Sequence, residues 1–160
     1  MPGRAVYYLR LSVTGRCNLR CIYCRSGDDA APPAATELPA EDLLKIVRAA
    51  ALVGFKKVRL TGGEPLLRSD IVDLVGSVAR VPGIDDLALT TNGVYLSRLA
   101  PALARAGLKR VNVSLDTLRP ERFRGITGAD RWQEVWEGIE AALELGLNPV
   151  KLNAVVLRGL

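Results

Sequence analysis

The sequence contains no histidine, and its three cysteines all lie within one short stretch, residues 17–24. Without histidine, the chain lacks the commonest general base and metal ligand. Aromatic residues make up only 5% of the chain and form no nucleic-acid motif, so the net charge of +5 indicates a small anionic ligand rather than a polynucleotide. No apolar run is long enough to span a membrane, and the N-terminus lacks a signal-peptide core. The composition therefore predicts a cytoplasmic protein with neither nucleic-acid nor membrane partners.

The cysteines follow an alternating run that predicts a strand from about Val6 to Val13, which puts them on a loop at a strand end. Their spacing is Cys17-x-x-x-Cys21-x-x-Cys24. An iron–sulfur cube normally takes four cysteines, so three thiolates would leave one iron free to bind a small molecule.

Three other interpretations fit this stretch less well. A disulfide would leave one cysteine over, and a redox pair of Cys21 and Cys24 would leave Cys17 without a role. A structural zinc site needs a fourth ligand, and no further cysteine or histidine exists to supply it. The spacing alone therefore favours a cluster and leaves zinc binding and redox chemistry open.

Strand-like and helix-like segments alternate along the rest of the chain. Further strands are predicted at 57–61, 86–91, 111–116 and 150–156, with helices between them and a loop around Pro120 and Gly128. Repeated strand–helix units with short connections predict right-handed parallel βα units and an α/β fold. No change of composition marks an internal boundary, so residues 1–160 are expected to form one domain.

The predicted strands alternate between apolar and polar residues, which places different side chains on the two faces of the sheet. The apolar set is Leu9, Leu11, Val58, Leu60, Leu87, Leu89, Val111, Val113, Val150 and Leu152. The polar set is Arg10, Ser12, Arg59, Thr61, Thr90, Asn92, Asn112, Ser114, Asp116, Lys151 and Asn153. Because unpartnered charges are costly to bury, this predicts a wide or incomplete barrel that holds water and polar ligands. Arg10, Arg59 and Lys151 would suit phosphate.

Polar motifs also gather at the carboxyl ends of the predicted strands, where ligands of such folds bind. They are the cysteine loop, the turn Gly62-Gly63-Glu64-Pro65, the pair Asn92-Gly93, and Asp116. Gly62 and Gly63 lack side chains, which allows a ligand to approach the backbone closely. Neither a Walker A loop nor a dinucleotide-binding fingerprint is present.

The cysteine spacing with Tyr23, taken together with the Gly62-Gly63-Glu64-Pro65 turn, resembles the cluster motif of radical S-adenosylmethionine (SAM) enzymes. More narrowly, the chain resembles the molybdenum cofactor biosynthesis protein A family, the GTP 3′,8-cyclases. The blocks that carry this likeness occur in the family's order: LRLSVT at 9–14, RLTGGEP at 59–65, TTNG at 90–93, NVSLD at 112–116 and ITG at 126–128.

The resemblance implies a partial (β/α)6 barrel in which Cys17, Cys21 and Cys24 hold a [4Fe-4S] cluster. One electron, supplied by an external donor, would cleave SAM at the open iron. The resulting 5′-deoxyadenosyl radical would take a hydrogen from the ribose C3′ of GTP, and the carbon radical would attack C8 of guanine. This is a lyase reaction of molybdenum cofactor biosynthesis. The family is often dimeric, so the likeness also implies a homodimer as a partner state.

Position by position, the resemblance also implies site residues. Tyr23, Gly63 and Ser114 match SAM contacts, and the Gly-Gly-Glu turn adds Gly62 and Glu64 to the predicted cofactor site. The positions that match GTP contacts are Arg10, Arg59, Thr90 and Lys151. Ser114 and all of these GTP positions belong to the polar set, so two lines of argument agree there.

The chain also departs from the family pattern. Arg25-Ser26 follows the third cysteine where an apolar residue and proline are usual, and Gly15 replaces an acidic residue. No cysteine follows Cys24, so the family's C-terminal domain with a second cluster is missing from the sequence. We therefore expect an incomplete radical SAM core, truncated after about the fifth strand, that binds a cluster without completing turnover. Two alternatives stay open: a radical SAM enzyme with another substrate, and a non-catalytic metal-binding fragment.

Overall fold

A computed structural model of the protein describes residues 7–24, 37–156 and 158. Its strands are β1 (Tyr8–Ser12), β2 (Lys57–Thr61), β3 (Asp86–Thr91), β4 (Arg110–Ser114) and β5 (Val150–Asn153). Its α-helices are α1 (Ala40–Leu52), α2 (Ile71–Ala79), α3 (Leu96–Arg105), α4 (Pro120–Thr127) and α5 (Trp132–Glu144). The departure at Arg25-Ser26 and the predicted start of the first strand at Val6 lie outside the described residues.

The five strands form one parallel sheet in the order β1-β2-β3-β4-β5, so each strand pairs with its neighbours in sequence. Crossovers between parallel strands are right-handed, and an order that always advances in one direction puts every crossover on the same face of the sheet. The α/β fold class and the parallel βα units predicted from the alternation are confirmed.

The hydrophobic core lies between the helices and the apolar face of the sheet. The sheet residues that it buries completely are Val58, Leu60, Leu89, Val111 and Val113. Each such aliphatic side chain stabilises the fold by about 1.5–3 kcal/mol relative to its exposed state. Leu152 differs from the expected pattern, since it is 50% exposed on β5, the edge strand of the described sheet.

Helix α4 occupies the region that was expected to be a loop, so that prediction is wrong. Pro120 is in the first turn of the helix, where its missing N–H costs nothing, and Phe123 and Ile126 are buried. Gly128 ends the helix with a φ of 70°, a left-handed conformation that glycine adopts without strain. The fifth strand is also shorter than predicted: it ends at Asn153, whereas the pattern predicted an end at Val156. No helix in the described part of the chain is long and apolar enough to cross a membrane.

Candidate functional site

The turn at residues 62–65 leaves the carboxyl end of β2 and packs against the segment that leads from β1 to the first cysteine. Gly63 donates its N–H to the Thr14 carbonyl at 2.8 Å, and Glu64 donates its N–H to the Arg16 carbonyl at 2.6 Å. A Cβ on Gly62 would lie 2.4 Å from the Thr14 oxygen, and one on Gly63 would lie 2.1 Å from the Arg16 oxygen. Contact within the protein therefore requires both glycines, before any ligand is considered.

Glu64 is fully buried, and its carboxylate joins the turn to the end of β3. It accepts hydrogen bonds from the Leu66 N–H at 2.9 Å, the Thr91 hydroxyl at 2.8 Å and the Asn92 N–H at 2.6 Å. Burial raises the pKa of this carboxyl, and the three donors act in the opposite direction. Any influence of Glu64 on the predicted cofactor therefore passes through the groups that it holds.

The cysteine loop is fixed by the carboxyl end of α4. Arg20 donates its N–H to the Thr127 carbonyl at 2.9 Å, and Ile22 donates its N–H to the Ile126 carbonyl at 3.0 Å. Both donors lie between the first and last cysteines, so these two bonds set the position of the thiols. The helix that sequence patterns missed is thus a supporting element of the site.

All three cysteines are free thiols, with Cys17 and Cys21 half-buried and Cys24 exposed. The Cys24 N–H donates to the Cys21 carbonyl at 2.9 Å, which closes a turn between them. The Cys17 sulfur accepts weak hydrogen bonds from the Leu19 N–H at 3.5 Å and the Asn92 side-chain amide at 3.9 Å. The loop therefore presents its sulfurs from a backbone that is already ordered.

Burial raises the pKa of the Cys21 thiol; the Tyr23 hydroxyl opposes this shift, and the charges of Cys17, Asp116 and Cys24 add to it. A bound metal would reverse the balance, because its positive charge keeps a coordinating thiol deprotonated. Within the described ranges, no three His, Cys, Asp or Glu side chains converge on a single metal position. A cube does not require such convergence, since each thiolate binds a different iron, and the three thiols fit that group.

Tyr23 connects the cysteine loop to the carboxyl ends of β4 and β5. Its hydroxyl donates to Asp116 at 2.6 Å, and the other oxygen of Asp116 accepts the Val155 N–H at 2.8 Å. Burial and this carboxylate raise the pKa of Tyr23, so its hydroxyl stays protonated. A cavity of about 310 Å³ lies beside this group, between Ile126 of α4 and Val155.

A cluster of charged side chains supports the exit from β1. The Arg16 guanidinium donates to Glu37 at 2.7 Å, so the residues on either side of the cysteine loop are joined. The buried Arg68 pairs with Asp70 at 2.7 Å and donates to the Val13 carbonyl at 2.8 Å. Every charge in this cluster has a partner of the opposite sign.

The strand register brings the predicted nucleotide contacts into two neighbouring rows on the polar face. In one row, Arg10 lies opposite Arg59. In the next row towards the carboxyl ends, Thr90 lies opposite Asn112, which in turn lies opposite Lys151. The rows are two residues apart, or about 7 Å. All four predicted GTP residues are therefore brought together on one surface.

The positive charges of this surface have no acidic partner in the part of the chain that the structure describes. Among the described residues, Arg10, Arg59 and Lys151 form no ion pair with a carboxylate. Like charges directly opposite one another, such as Arg10 and Arg59, are unfavourable unless an anion lies between them. Arg110, on β4 in the same row as Arg59, does have a partner, since its guanidinium donates to Asp86 at 2.9 Å.

Buried polar atoms without partners are concentrated on the same face. Among the described residues there are five such side-chain atoms: the Tyr8 hydroxyl, the Arg59 Nε, the Thr90 hydroxyl, the Asn112 Oδ1 and the Trp132 Nε1. The first four belong to the polar face of the sheet, and the Arg59 guanidinium lies 5.3 Å from the centre of the Tyr8 ring. A buried polar atom without a partner costs about 1–3 kcal/mol, so a cluster of them is typical of a ligand site.

The profile of the Radical SAM superfamily matches residues 11–160. The chain belongs to the radical SAM superfamily. Curated relatives named GTP 3′,8-cyclase are 55% identical over 157 residues in Pelotomaculum thermopropionicum and 48% identical over 159 residues in Petrotoga mobilis. These matches cover 98% and 99% of this chain, and 48% and 49% of the relatives. The chain thus spans about half the length of the curated relatives that it matches.

Solved structures share the fold. SuiB from Streptococcus suis bound to S-adenosylmethionine has a TM-score of 0.76 and 25% identity, over 96% of this chain and 35% of that one. HydG, a maturase of [FeFe]-hydrogenase, has a TM-score of 0.75 and 17% identity, over 92% and 34%. The partial radical SAM barrel is confirmed, and family membership supports the general use of SAM and an iron–sulfur cluster.

The structure shows contacts around this candidate site that the sequence interpretation did not reveal. Asp116 and Asn112 were in the polar set, but the pattern showed only their face and not their contacts. The carbonyls of Ile126 and Thr127 hold the cysteine loop, and the ITG block at 126–128 was the one sequence signal for them. Tyr8, beneath Arg59, gave no signal, because a tyrosine near the start of a strand is ordinary.

Proposed function

We propose that this chain carries the radical-generating part of a GTP 3′,8-cyclase, which converts GTP to 3′,8-cyclo-7,8-dihydro-GTP. The observation that carries the proposal is the polar face, on the side of the sheet away from the helices. There, within the described residues, cations without acidic partners lie beside buried polar atoms without hydrogen-bond partners. Such a surface suits a ligand that combines several negative charges with hydrogen-bonding groups, as a nucleoside triphosphate does. Relatives of that name match nearly the whole chain.

In this proposal Cys17, Cys21 and Cys24 hold a [4Fe-4S] cluster. The cluster and SAM would supply the electron and the organic radical that activates the ribose. The bonds from α4 keep the thiols in place, and Glu64 does the same for the end of β3 through Asn92. At this end of the site, the protein's own contribution is therefore to fix the positions of the residues that would bind the cluster.

Several groups near the cluster suit the SAM site. Tyr23 is held in place by Asp116, and Ser114 lies on the polar face one row from Asn112. The backbone of Gly63 is exposed beside the cysteine loop, and the cavity next to Asp116 offers room for part of the cofactor. Gly62 and Glu64 would act by shaping the turn.

Arg10, Arg59, Thr90 and Lys151 would bind GTP. The two arginines can bind phosphate oxygens through several donors, and an anion between them removes their mutual repulsion. The hydroxyl of Thr90, which has no partner within the described residues, would gain one. An external electron donor, a homodimer and a cytoplasmic location remain predictions.

The first test is metal and sulfide analysis of the chain after anaerobic reconstitution. Iron and sulfide in equal amounts are expected, and Cys21→Ala should retain less of both. With SAM and a reductant, the reconstituted chain should release 5′-deoxyadenosine. Bound zinc without sulfide would instead support the non-catalytic alternative.

The second test measures GTP binding by calorimetry. Arg59→Ala should weaken binding about tenfold or more, because charge-assisted hydrogen bonds to phosphate contribute about 1.5–3 kcal/mol each. Arg131→Ala, which removes the same charge from an exposed residue directly before α5, is the matched control and should bind like the wild type. Equal GTP affinity in both variants would favour a radical SAM enzyme with another substrate.

A further inference from the structure

Asn112 lies at the centre of the polar face and has no role in the site described so far. The residue is only 3% exposed, and within the described part of the chain its Oδ1 has no hydrogen-bond donor. Its neighbours across the sheet, Thr90 and Lys151, are two of the proposed GTP contacts. A buried amide oxygen without a partner is unfavourable, so a group that is not part of the fold is expected to complete it.

The position of Asn112 along β4 lies between two parts of the proposed site. Ser114, a proposed SAM contact, is two residues nearer the carboxyl end, or about 7 Å away. Arg110 is two residues nearer the amino end, in the row that contains Arg59. A nucleotide that reaches from the arginine row to the cofactor therefore crosses the row that contains Thr90, Asn112 and Lys151.

The chemistry of Oδ1 limits which group of the ligand can form a hydrogen bond with it. It is an acceptor, whereas the arginine and lysine side chains around it are donors only. An ionised phosphate has no proton to donate, so Oδ1 cannot bind the triphosphate. The hydroxyls of the ribose can donate to it, and the ribose is the part that must face the cofactor.

We propose that Asn112 is a further substrate-binding residue, whose Oδ1 accepts a hydrogen bond from a ribose hydroxyl of the nucleotide and holds the sugar below the cofactor. This inference rests on the proposed function, because it takes the ligand of the polar face to be GTP. It makes Asn112 a determinant of specificity for ribonucleotides over deoxyribonucleotides.

The test is a set of dissociation constants for the reconstituted chain with GTP, 2′-deoxy-GTP, 3′-deoxy-GTP and inosine triphosphate. Asn112→Ala should weaken GTP binding about five- to tenfold, the effect of losing one buried hydrogen bond. For one of the two deoxynucleotides, wild type and variant should bind equally, because the donating hydroxyl is already missing. Asn112→Asp keeps the acceptor and should retain the wild-type ratio between GTP and that deoxynucleotide.

Gln133→Ala, which removes an amide from the exposed surface of α5, is the control and should match the wild type throughout. Equal GTP affinity in Asn112→Ala and wild type would overturn the inference and leave the proposed function intact. A loss of the same size for GTP and both deoxynucleotides would also overturn it, and a loss confined to nucleotides with the guanine amino group would assign the contact to the base. If the folded wild type does not bind GTP, both proposals fail. The deoxynucleotide series on the wild type needs no variant, and equal wild-type affinity for GTP and both deoxynucleotides would also overturn the inference.

Discussion

On the helix-covered face of the sheet, Leu60 and Leu89 are completely buried among apolar neighbours, and near its carboxyl edge the buried Glu64 has three donors. On the opposite face, Arg59 and Asn112 carry buried polar atoms that the described protein leaves without partners. The same strands supply both faces, so alternation along each strand separates two tasks. One face stabilises the fold, and the other keeps hydrogen-bonding capacity for a ligand, as expected where function reduces stability.

The largest effect should come from a cavity in the helix-covered face. Leu89→Ala should lower the free energy of unfolding by about 3 kcal/mol, because it removes buried methyl groups and leaves a void. Thr90→Ala, the next residue on β3, removes a hydroxyl without a described partner and should change stability by less than about 1 kcal/mol. Urea unfolding of the cluster-free chain measures both, and similar losses in the two variants would remove the distinction between the faces.

A smaller loss is expected at Glu64. In Glu64→Gln, one acceptor oxygen becomes an NH₂ donor that faces a donor of Leu66, Thr91 or Asn92. The free energy of unfolding should fall by about 2 kcal/mol. Glu121→Gln, on the exposed surface of α4, is the control and should stay within about 0.5 kcal/mol of the wild type. A neutral Glu64→Gln would mean that its three hydrogen bonds do not contribute as the geometry indicates.

Two buried asparagines offer a matched pair for the third comparison. Asn92 has partners, since its amide donates to Asn18 at 2.8 Å and its oxygen accepts the Val94 N–H at 3.1 Å. Asn92→Ala should therefore cost about 1 kcal/mol in the cluster-free chain. Asn112→Ala should be neutral or stabilising by up to about 1 kcal/mol, because it deletes an acceptor that has no partner among the described residues. If Asn112→Ala destabilised the chain as much as Asn92→Ala, the Oδ1 of Asn112 would already have a hydrogen-bond partner within the protein.

Local patterns predicted the parallel sheet and its two faces, because helical spacing and strand alternation are visible within a few residues. Helix α4 was missed because it is eight residues long and buries little besides Phe123 and Ile126. Such a short element has a weak periodic signal, and it is stabilised instead by its contacts with the cysteine loop. A pattern that shows which residues are apolar does not reveal contacts of this kind.

The candidate site was predictable to the same extent as the fold: most of its residues could be identified, but their contacts could not. The cysteine spacing and the polar set identified most of its residues, since both are properties of the sequence itself. The three hydrogen bonds that Glu64 accepts were not predictable, because two of the donors come from Thr91 and Asn92, at the end of another strand. The same holds for Asn112: that its Oδ1 has no partner within the described residues appears only once the strands are aligned.

The smallest predicted effect concerns Glu37, whose carboxylate forms an ion pair with Arg16, whereas Arg10, Arg59 and Lys151 form none within the described ranges. The Arg16 guanidinium lowers the pKa of Glu37 from its ordinary value of 4.5, and Arg68 adds to this shift. A carboxyl with a lowered pKa in the folded state contributes stability above its unfolded pKa and loses that contribution as pH falls through the folded pKa.

Stability of the cluster-free chain should therefore decrease below about pH 4.5, and Glu37→Gln should flatten this decrease while lowering stability at pH 7. Thermal unfolding at a series of pH values measures both, with Glu121→Gln as the control for the loss of one carboxylate. An acid limb in Glu37→Gln as steep as that of the wild type would mean that Glu37 is no better stabilised than an exposed carboxylate.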